Sequence, residues 1–311
     1  MTVATQPEQE DQQLDPGLRA VLSERRQLIN LAYRFLGSVS DAEDVVQETY
    51  ARWYAMTPHQ REAITSPGGW LTKVASRICL DLLGSARAKR ERYVGEWLPE
   101  PLPDRTEWIS GRAGGSVDPA DRVTLDESVS MAFLVVLESM TPAERVTFVL
   151  HDVFHYSFAE VAGIVGRSPA ACRKLASSAR QRVRAQKVSA TPPARSADVI
   201  RDFKRAWEAQ DIDALIGLLD PNATTVTDGG GVISAQIHPI EGREEIARFF
   251  VNAAGNAADL TIAESRVNGQ PGLVLHREGV TMAVLALEVS DGRIKHIWAV
   301  LNPEKLGPWT S

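Results

Sequence analysis

Apolar residues recur at spacings of three and four through Leu28, Leu31, Ala32 and Phe35, the period of a helix that buries one face. The same rhythm runs from Pro16 to Arg92. Gly37 is placed to end one helix and Ser40 to begin the next, with Ser40 and Glu43 in the positions of a capping box. A third helix is expected from about Trp70 to Arg92, after a loop holding Pro58, Pro67, Gly68 and Gly69. Between Glu96 and Pro119 the pattern breaks, and Pro99, Pro101, Pro103, Gly111, Gly114 and Gly115 mark a linker.

Helical periodicity resumes at Pro119 and is strongest from Thr141 to Gln186, where Thr141/Glu144 and Ser157/Glu160 form two further capping boxes. A second linker, Val188 to Ser196, carries Pro192 and Pro193. Beyond it, helices over about Val199 to Gln210 and Arg243 to Ala254 mix with strand patterns at Leu273 to His276, Val280 to Val289 and Ile294 to Leu301. The pairs Asn268-Gly269 and Asp291-Gly292 suit tight antiparallel turns. The pattern divides the chain into a helical domain (1–95), a linker (96–118), a second helical domain (119–187), a linker (188–197) and an α+β domain (198–311).

With 311 residues, 44% hydrophobic and 24% charged, the chain reads as several globular domains. No segment approaches the roughly 18 apolar residues of a membrane span, and the start lacks a basic stretch before an apolar run, so a cytoplasmic protein with no membrane partner is expected. Cys79 and Cys172 each sit in a helical pattern and read as small buried hydrophobes rather than a disulfide. The net charge of −6 conceals an uneven distribution. Residues 141–187 hold eight basic and three acidic groups, and residues 197–311 ten basic and sixteen acidic. The first stretch suits DNA, and the second should be repelled by it.

Three segments carry chemistry. From Asp41 to Trp53 one helix face presents Ala42, Val45, Val46, Thr49 and Trp53, and another Asp41, Asp44 and Glu48; taken alone, this acidic stripe could be a solvated face. The helix starting near Trp70 lines up Lys73, Arg77, Arg87, Lys89, Arg90 and Arg92, while Trp70 falls at core spacing with Val74. From Ser157 to Arg184 the order is helix, Gly166 turn, Ser168 cap, Pro169 start and second helix. Its Arg173, Ser177, Arg180 and Arg184 occupy a face apart from that of Leu175, Ala179 and Val183.

In this order and spacing the segments resemble regions 2 and 4 of bacterial RNA polymerase sigma factors of the extracytoplasmic-function group. The resemblance implies that Asp41, Asp44, Gln47 and Glu48 face the β′ clamp coiled coil of core RNA polymerase. It implies that Lys73, Arg77 and Asp81 read the −10 element of promoter DNA, and that the helix after Ser168 reads the −35 element through Ala170, Ala171, Arg173, Lys174, Ser177 and Arg180. Leu175 and Ser178 stand where basic residues are common in the family.

The last domain resembles a SnoaL-like cone, related to nuclear transport factor 2. The strings Trp97-Leu98-Pro99-Glu100-Pro101, Asp228-Gly229-Gly230-Gly231 and Asn302-Pro303-Glu304-Lys305-Leu306 resemble a subgroup that carries this extension without a dedicated anti-sigma partner. Docking between domains through Trp97, Leu98, Pro99, Asp228, Gly229, Gly230, Gly231, Asn302 and Pro303 is therefore expected. Val232 follows the glycines where the subgroup usually has Lys, a departure that weakens the case for a charged contact at that position.

His238, His276, His296 and Asp228 are the domain's candidate acid–base groups, but no spacing among them demands catalysis, and no cofactor or metal motif is present. An unknown small-molecule ligand in the cone stays open. The competing readings are a one-component helix-turn-helix regulator with an effector-binding cone, and a SnoaL-type enzyme fused to a helical module.

Overall fold

The computed structural model describes residues 16–90, 93, 95–103, 129–186, 193–233, 236, 238–255 and 259–309. The expected helix start at Pro119, most of the first linker, the second linker up to Pro192, residue Arg92 and the side chains of Arg87, Lys89 and Arg90 lie outside the described residues.

Helices α1 (Pro16–Leu36), α2 (Val39–Ala55), the short α3 (Pro58–Glu62) and α4 (Pro67–Arg90) form the first unit. Gly37 takes a left-handed φ of +69° and ends α1. The chain then enters α2 earlier than the Ser40/Glu43 pattern predicts. The N-cap is Ser38, in extended conformation, whose hydroxyl accepts the Asp41 N–H at 3.2 Å. Pro58 and Pro67, expected in a loop, instead open α3 and α4, where a missing N–H costs nothing.

The second unit comprises α5 (Met131–Glu138), α6 (Pro142–Phe148) continuing through a π turn (Val149–Val153), α7 (Phe158–Val165) and α8 (Pro169–Gln186). Both expected capping boxes, Thr141/Glu144 and Ser157/Glu160, are formed. Gly166 turns the chain between α7 and α8 with φ +69°.

The two helical units are not separate bodies. Leu28, Phe35, Val45, Leu71 and Cys79 share one core with Leu134, Val146, Leu150, Val161 and Cys172. Arg145 of α6 is buried at the junction, donating to the Phe35 carbonyl at 2.8 Å and pairing with Glu138 at 2.6 Å. Arg34 of α1 lies over the Phe154 ring at 5.6 Å. Both cysteines are free and buried.

The tail begins with α9 (Pro193–Glu208) and α10 (Ile212–Leu218), and α11 (Arg243–Gly255) lies between its second and third strands. The strands are β1 (Leu219–Asp228), β2 (Ile240–Glu241), β3 (Leu260–Val267), β4 (Gln270–Arg277), β5 (Val280–Ser290) and β6 (Arg293–Val300), in sheet order β2-β1-β6-β5-β4-β3. Among the described strands, only the β1–β6 pairing is parallel. Asn268-Gly269, Glu278-Gly279 and Asp291-Gly292 all take positive φ at both positions, which matches the right-handed strand twist. β1 was not legible as a strand because Asp220, Pro221 and Asn222 within it read as a turn.

One sheet face is covered by α9 to α11. Phe203, Trp207 and Phe250 meet edge-on or tilted there, with Trp207–Phe250 centroids 4.7 Å apart, and pack with Leu215, Leu273, Leu285 and Ile297. The opposite face, with Val274, Val284, Ala286, Trp298 and Val300, packs on Leu98, Met131 and Leu306. This second face joins the tail to the linker and to α5.

Candidate functional site

Along α2, Ala42, Val45, Val46 and Thr49 are buried, and Asp41, Asp44, Gln47 and Glu48 are exposed. The apolar face is used against α1 and α4, so the acidic stripe is left toward solvent. Glu48 pairs with Arg52 one turn on, at 2.8 Å. Trp70 lies half-buried against Trp53, with ring centroids 5.2 Å apart, in the core role its spacing predicts.

Lys73, Arg77 and Asp81 recur every fourth residue on the exposed side of α4, while Ala75, Cys79 and Leu83 face inward. Arg77 is already engaged. Its Nη2 donates at 2.8 Å to the Gly163 carbonyl of α7, a residue of the helix-turn-helix. No sequence signal links these two positions, which are 86 residues apart.

On α8, Cys172, Ala176 and Ala179 are buried, and Ala170, Arg173, Lys174 and Ser177 are exposed. Ala171 is half-buried, as is Arg180, whose Nε pairs with Asp152 at 2.6 Å. Arg173 lies over the Phe158 ring at 5.6 Å. Ser178 donates to Glu144 at 2.7 Å, tying α8 to the capping box of α6.

The linker residues Trp97 to Pro103 form a strap between α1 and the tail. Asp228, fully buried at the end of β1, accepts the Leu98 N–H at 2.9 Å, the Tyr93 hydroxyl at 2.6 Å, the Gly230 N–H at 3.0 Å and the Lys305 ammonium at 2.6 Å. Lys305 also donates to the Leu98 carbonyl at 2.5 Å and lies over the Trp97 indole, 4.1 Å from its centre. The Asn302 amide donates to the Tyr93 oxygen at 3.0 Å. Burial and the neighbouring carboxylate push the Tyr93 phenol upward, so it remains a donor.

Gly230 and Gly231 take φ of +68° and +72°. A Cβ at Gly230 would come within 2.5 Å of the Asn302 side chain. The Gly229 carbonyl accepts the Val232 and Ile233 N–H groups, and Pro303 opens a short 3-10 turn capped by Asn302. A charged contact does exist at this junction. Its cation is Lys305, seventy-seven residues from Asp228. Tyr93 was also missed, since an isolated Tyr between the last predicted helix and the linker carries no pattern.

Residues 20–89 match sigma-70 region 2, and residues 130–183 match sigma-70 region 4. Over 294 residues the chain is 36% identical to the ECF RNA polymerase sigma factor SigJ of Mycobacterium tuberculosis, covering 90% of each chain. The chain belongs to the extracytoplasmic-function sigma factors. The probable ECF sigma factor SigI of the same species is 35% identical over 299 residues, covering 95% of this chain and 97% of SigI. A crystal structure of SigJ superposes with a TM-score of 0.71 at 34% identity, covering 94% of this chain and 98% of that one.

This sigma factor is thus a transcription initiation factor with helical region 2 and region 4 domains and a SnoaL-like α+β tail. The tail's candidate acid–base groups do not converge. His296 lies on the sheet face opposite the helices, bonded to Thr224 at 2.6 Å and 3.7 Å from Glu288, whereas Asp228 is consumed by the strap. Burial lowers the His296 imidazole and raises the Glu288 carboxyl, favouring the neutral form of each. Among the described residues no His, Cys, Asp and Glu cluster could hold a metal ion, and no helix is long and apolar enough to cross a membrane.

Proposed function

We propose that this sigma factor binds the β′ clamp coiled coil of core RNA polymerase through Asp41, Asp44, Gln47 and Glu48. In this reading it reads the −10 element through Lys73, Arg77 and Asp81 and the −35 element through Ala170, Ala171, Arg173, Lys174, Ser177 and Arg180. The observation that carries the assignment is the division of α2, α4 and α8 into a buried apolar face and an exposed polar one, with the residues named falling mainly on the exposed side. Acids on α2 suit a basic protein partner. Cations on α4 and α8 suit phosphates.

The tail acts in cis, without catalysis, by docking on the strap through Trp97, Leu98, Pro99, the Asp228 to Gly231 loop, Asn302 and Pro303. The Asp228–Lys305 pair buried against the Leu98 backbone supports this. A resident small molecule in the cone is disfavoured by the packing of Phe203, Trp207 and Phe250, with the Trp207 indole donating to the Phe250 carbonyl at 2.7 Å. An open groove of about 540 Å³ between α9 and α10 lies on the outer surface instead. Function in the cytoplasm with polymerase follows from the same reading.

Run-off transcription with purified core polymerase tests the assignment. Full-length protein should direct specific initiation, and Asp44→Arg with Glu48→Arg should abolish core capture while the fold survives, since exposed helix substitutions usually change stability by only about 0.5 kcal/mol. Undiminished capture by the double variant rejects the α2 face as the clamp site.

A further inference from the structure

The first turn of a helix leaves backbone N–H groups without intrahelical partners. In α2 two of them are met by different parts of the chain. Ser38 supplies the local cap, accepting the Asp41 N–H at 3.2 Å. The Val39 N–H donates instead to the Glu100 carboxylate, at 2.8 Å, from a residue sixty-one positions later in the strap. A carboxylate at a helix N-terminus both accepts the N–H and opposes the helix dipole.

Glu100 is held there on its backbone by two further bonds. Its N–H donates to the Gly37 carbonyl at 2.8 Å, and its own carbonyl accepts the Tyr33 hydroxyl at 2.7 Å. Gly37 admits this arrangement because a Cβ there would lie 2.8 Å from the Trp97 ring and 3.3 Å from Pro99. The tail completes the chain of contacts through Asn268, the first residue of the β3–β4 turn, which is fully buried. Its Nδ2 donates to the Tyr33 oxygen at 2.9 Å, and its Oδ1 accepts the Leu102 N–H at 3.1 Å. Its own N–H donates to the Leu102 carbonyl at 2.8 Å.

We propose that Glu100 is a positioning residue for the polymerase-facing helix α2, and that the tail sets its position through Asn268. The inference rests on the reading of α2 as the clamp-binding helix. It adds a route by which the tail acts on polymerase affinity: Asn268 orients Tyr33 and Leu102, these fix the strap, and Glu100 completes the end of the helix that presents Asp41 and Asp44. Asn268 belongs to none of the motif strings. It reads in sequence as an ordinary turn residue.

The experiment uses the full chain in two measurements. In the free protein, amide exchange at Val39 is compared between wild type, Glu100→Ala, Glu100→Gln and Asn268→Gly. Glycine keeps the left-handed turn, where Asn268 has φ of +51°, and removes only the side chain. Val39 should exchange faster in Glu100→Ala and in Asn268→Gly, and Glu100→Gln should keep most of the protection because its amide oxygen still accepts.

Affinity for core polymerase should fall roughly five- to tenfold in the first two variants, the scale of a lost N-cap interaction. The double variant should be no weaker than the weaker single one. Unchanged Val39 exchange in Asn268→Gly, or affinity losses that multiply in the double variant, overturns the proposal. Asp44→Arg with Glu48→Arg separates the two ideas. If that control abolishes binding while Glu100→Ala and Asn268→Gly bind core normally, the positioning role fails and the clamp assignment stands. If the control binds normally, the clamp assignment fails.

Discussion

The Asp228 carboxylate and the Lys305 ammonium meet at 2.6 Å in a pocket that leaves Asp228 no exposed surface. Neither charge would be stable there alone. The Leu98 N–H and carbonyl, the Tyr93 hydroxyl and the Trp97 ring satisfy the groups that the pair leaves over. Removing one partner strands the other, which typically costs about 3–5 kcal/mol. Asp228→Ala should therefore release the strap and lower the melting temperature of the protein, whereas Asp228→Ala with Lys305→Met should recover much of the loss. Thermal unfolding of both variants, with exchange at the Leu98 amide, is the check.

Gly230 is required by its left-handed φ and by the nearness of Asn302. Gly230→Ala should destabilise tail docking by roughly 1–3 kcal/mol, the usual cost of a strained backbone position. Limited proteolysis of the strap should show earlier cutting than in wild type. Gly163, with open space around its Cβ, should accept alanine with only a small stability change.

Arg173 and Lys174 are exposed on α8, but Arg180 is tied to Asp152. Alanine at either of the first two positions should weaken promoter binding and, where the contact is to phosphate, reduce the salt slope by about one. Arg180→Ala should in addition lower stability, because it leaves Asp152 without its cation. Binding to promoter and scrambled duplexes at several salt concentrations, read beside melting curves, separates these outcomes.

Arg77 cannot keep its bond to Gly163 and also bind a −10 strand with the same guanidinium edge. Single-stranded −10 DNA should therefore speed amide exchange in α7, and Arg77→Ala should produce that faster exchange without DNA. Exchange mass spectrometry of α7 peptides tests this; equal protection with and without DNA would contradict it.

Burial pushes the Glu100 carboxyl up to about 7, with Asp41 and Glu43 adding to the rise and the Val39 N–H and Lys305 opposing it. A folded-state value above the unfolded one means that the folded protein holds a proton the unfolded chain has released. Its contribution to stability is full below about 4.5 and is lost as pH rises toward 7, by up to about 1.4 kcal/mol per pH unit. The difference in denaturant midpoint between wild type and Glu100→Gln should narrow or reverse in sign along that interval; a difference independent of pH would assign the shift elsewhere.

What could be read from sequence was what local chemistry controls. Thr141/Glu144, Ser157/Glu160, Gly166, Pro169 and the Asn-Gly and Asp-Gly turns act within a few residues, and each forms as expected. Ser38 displaced Ser40 as cap because the conformation of Gly37 sets where the chain re-enters a helix. The pairings that shape the candidate site, Arg77 with Gly163, Tyr33 with Asn268 and Asp228 with Lys305, join residues 77 to 235 positions apart. Nothing in the residues between them encodes such partners, and only the recognised strings pointed to part of the strap.

Within the strap, Leu98 packs into the cluster of the tail sheet and Leu102 into the core shared by the two helical units. A segment of a few residues therefore belongs to two hydrophobic cores at once. Heat or denaturant cannot expose one side chain without loosening the backbone that carries the other, so helical units and tail should melt as a single cooperative transition although they are distinct folds. Replacing either leucine by Ser would uncouple them into two transitions, and calorimetry would see the tail lose its dependence on the helices.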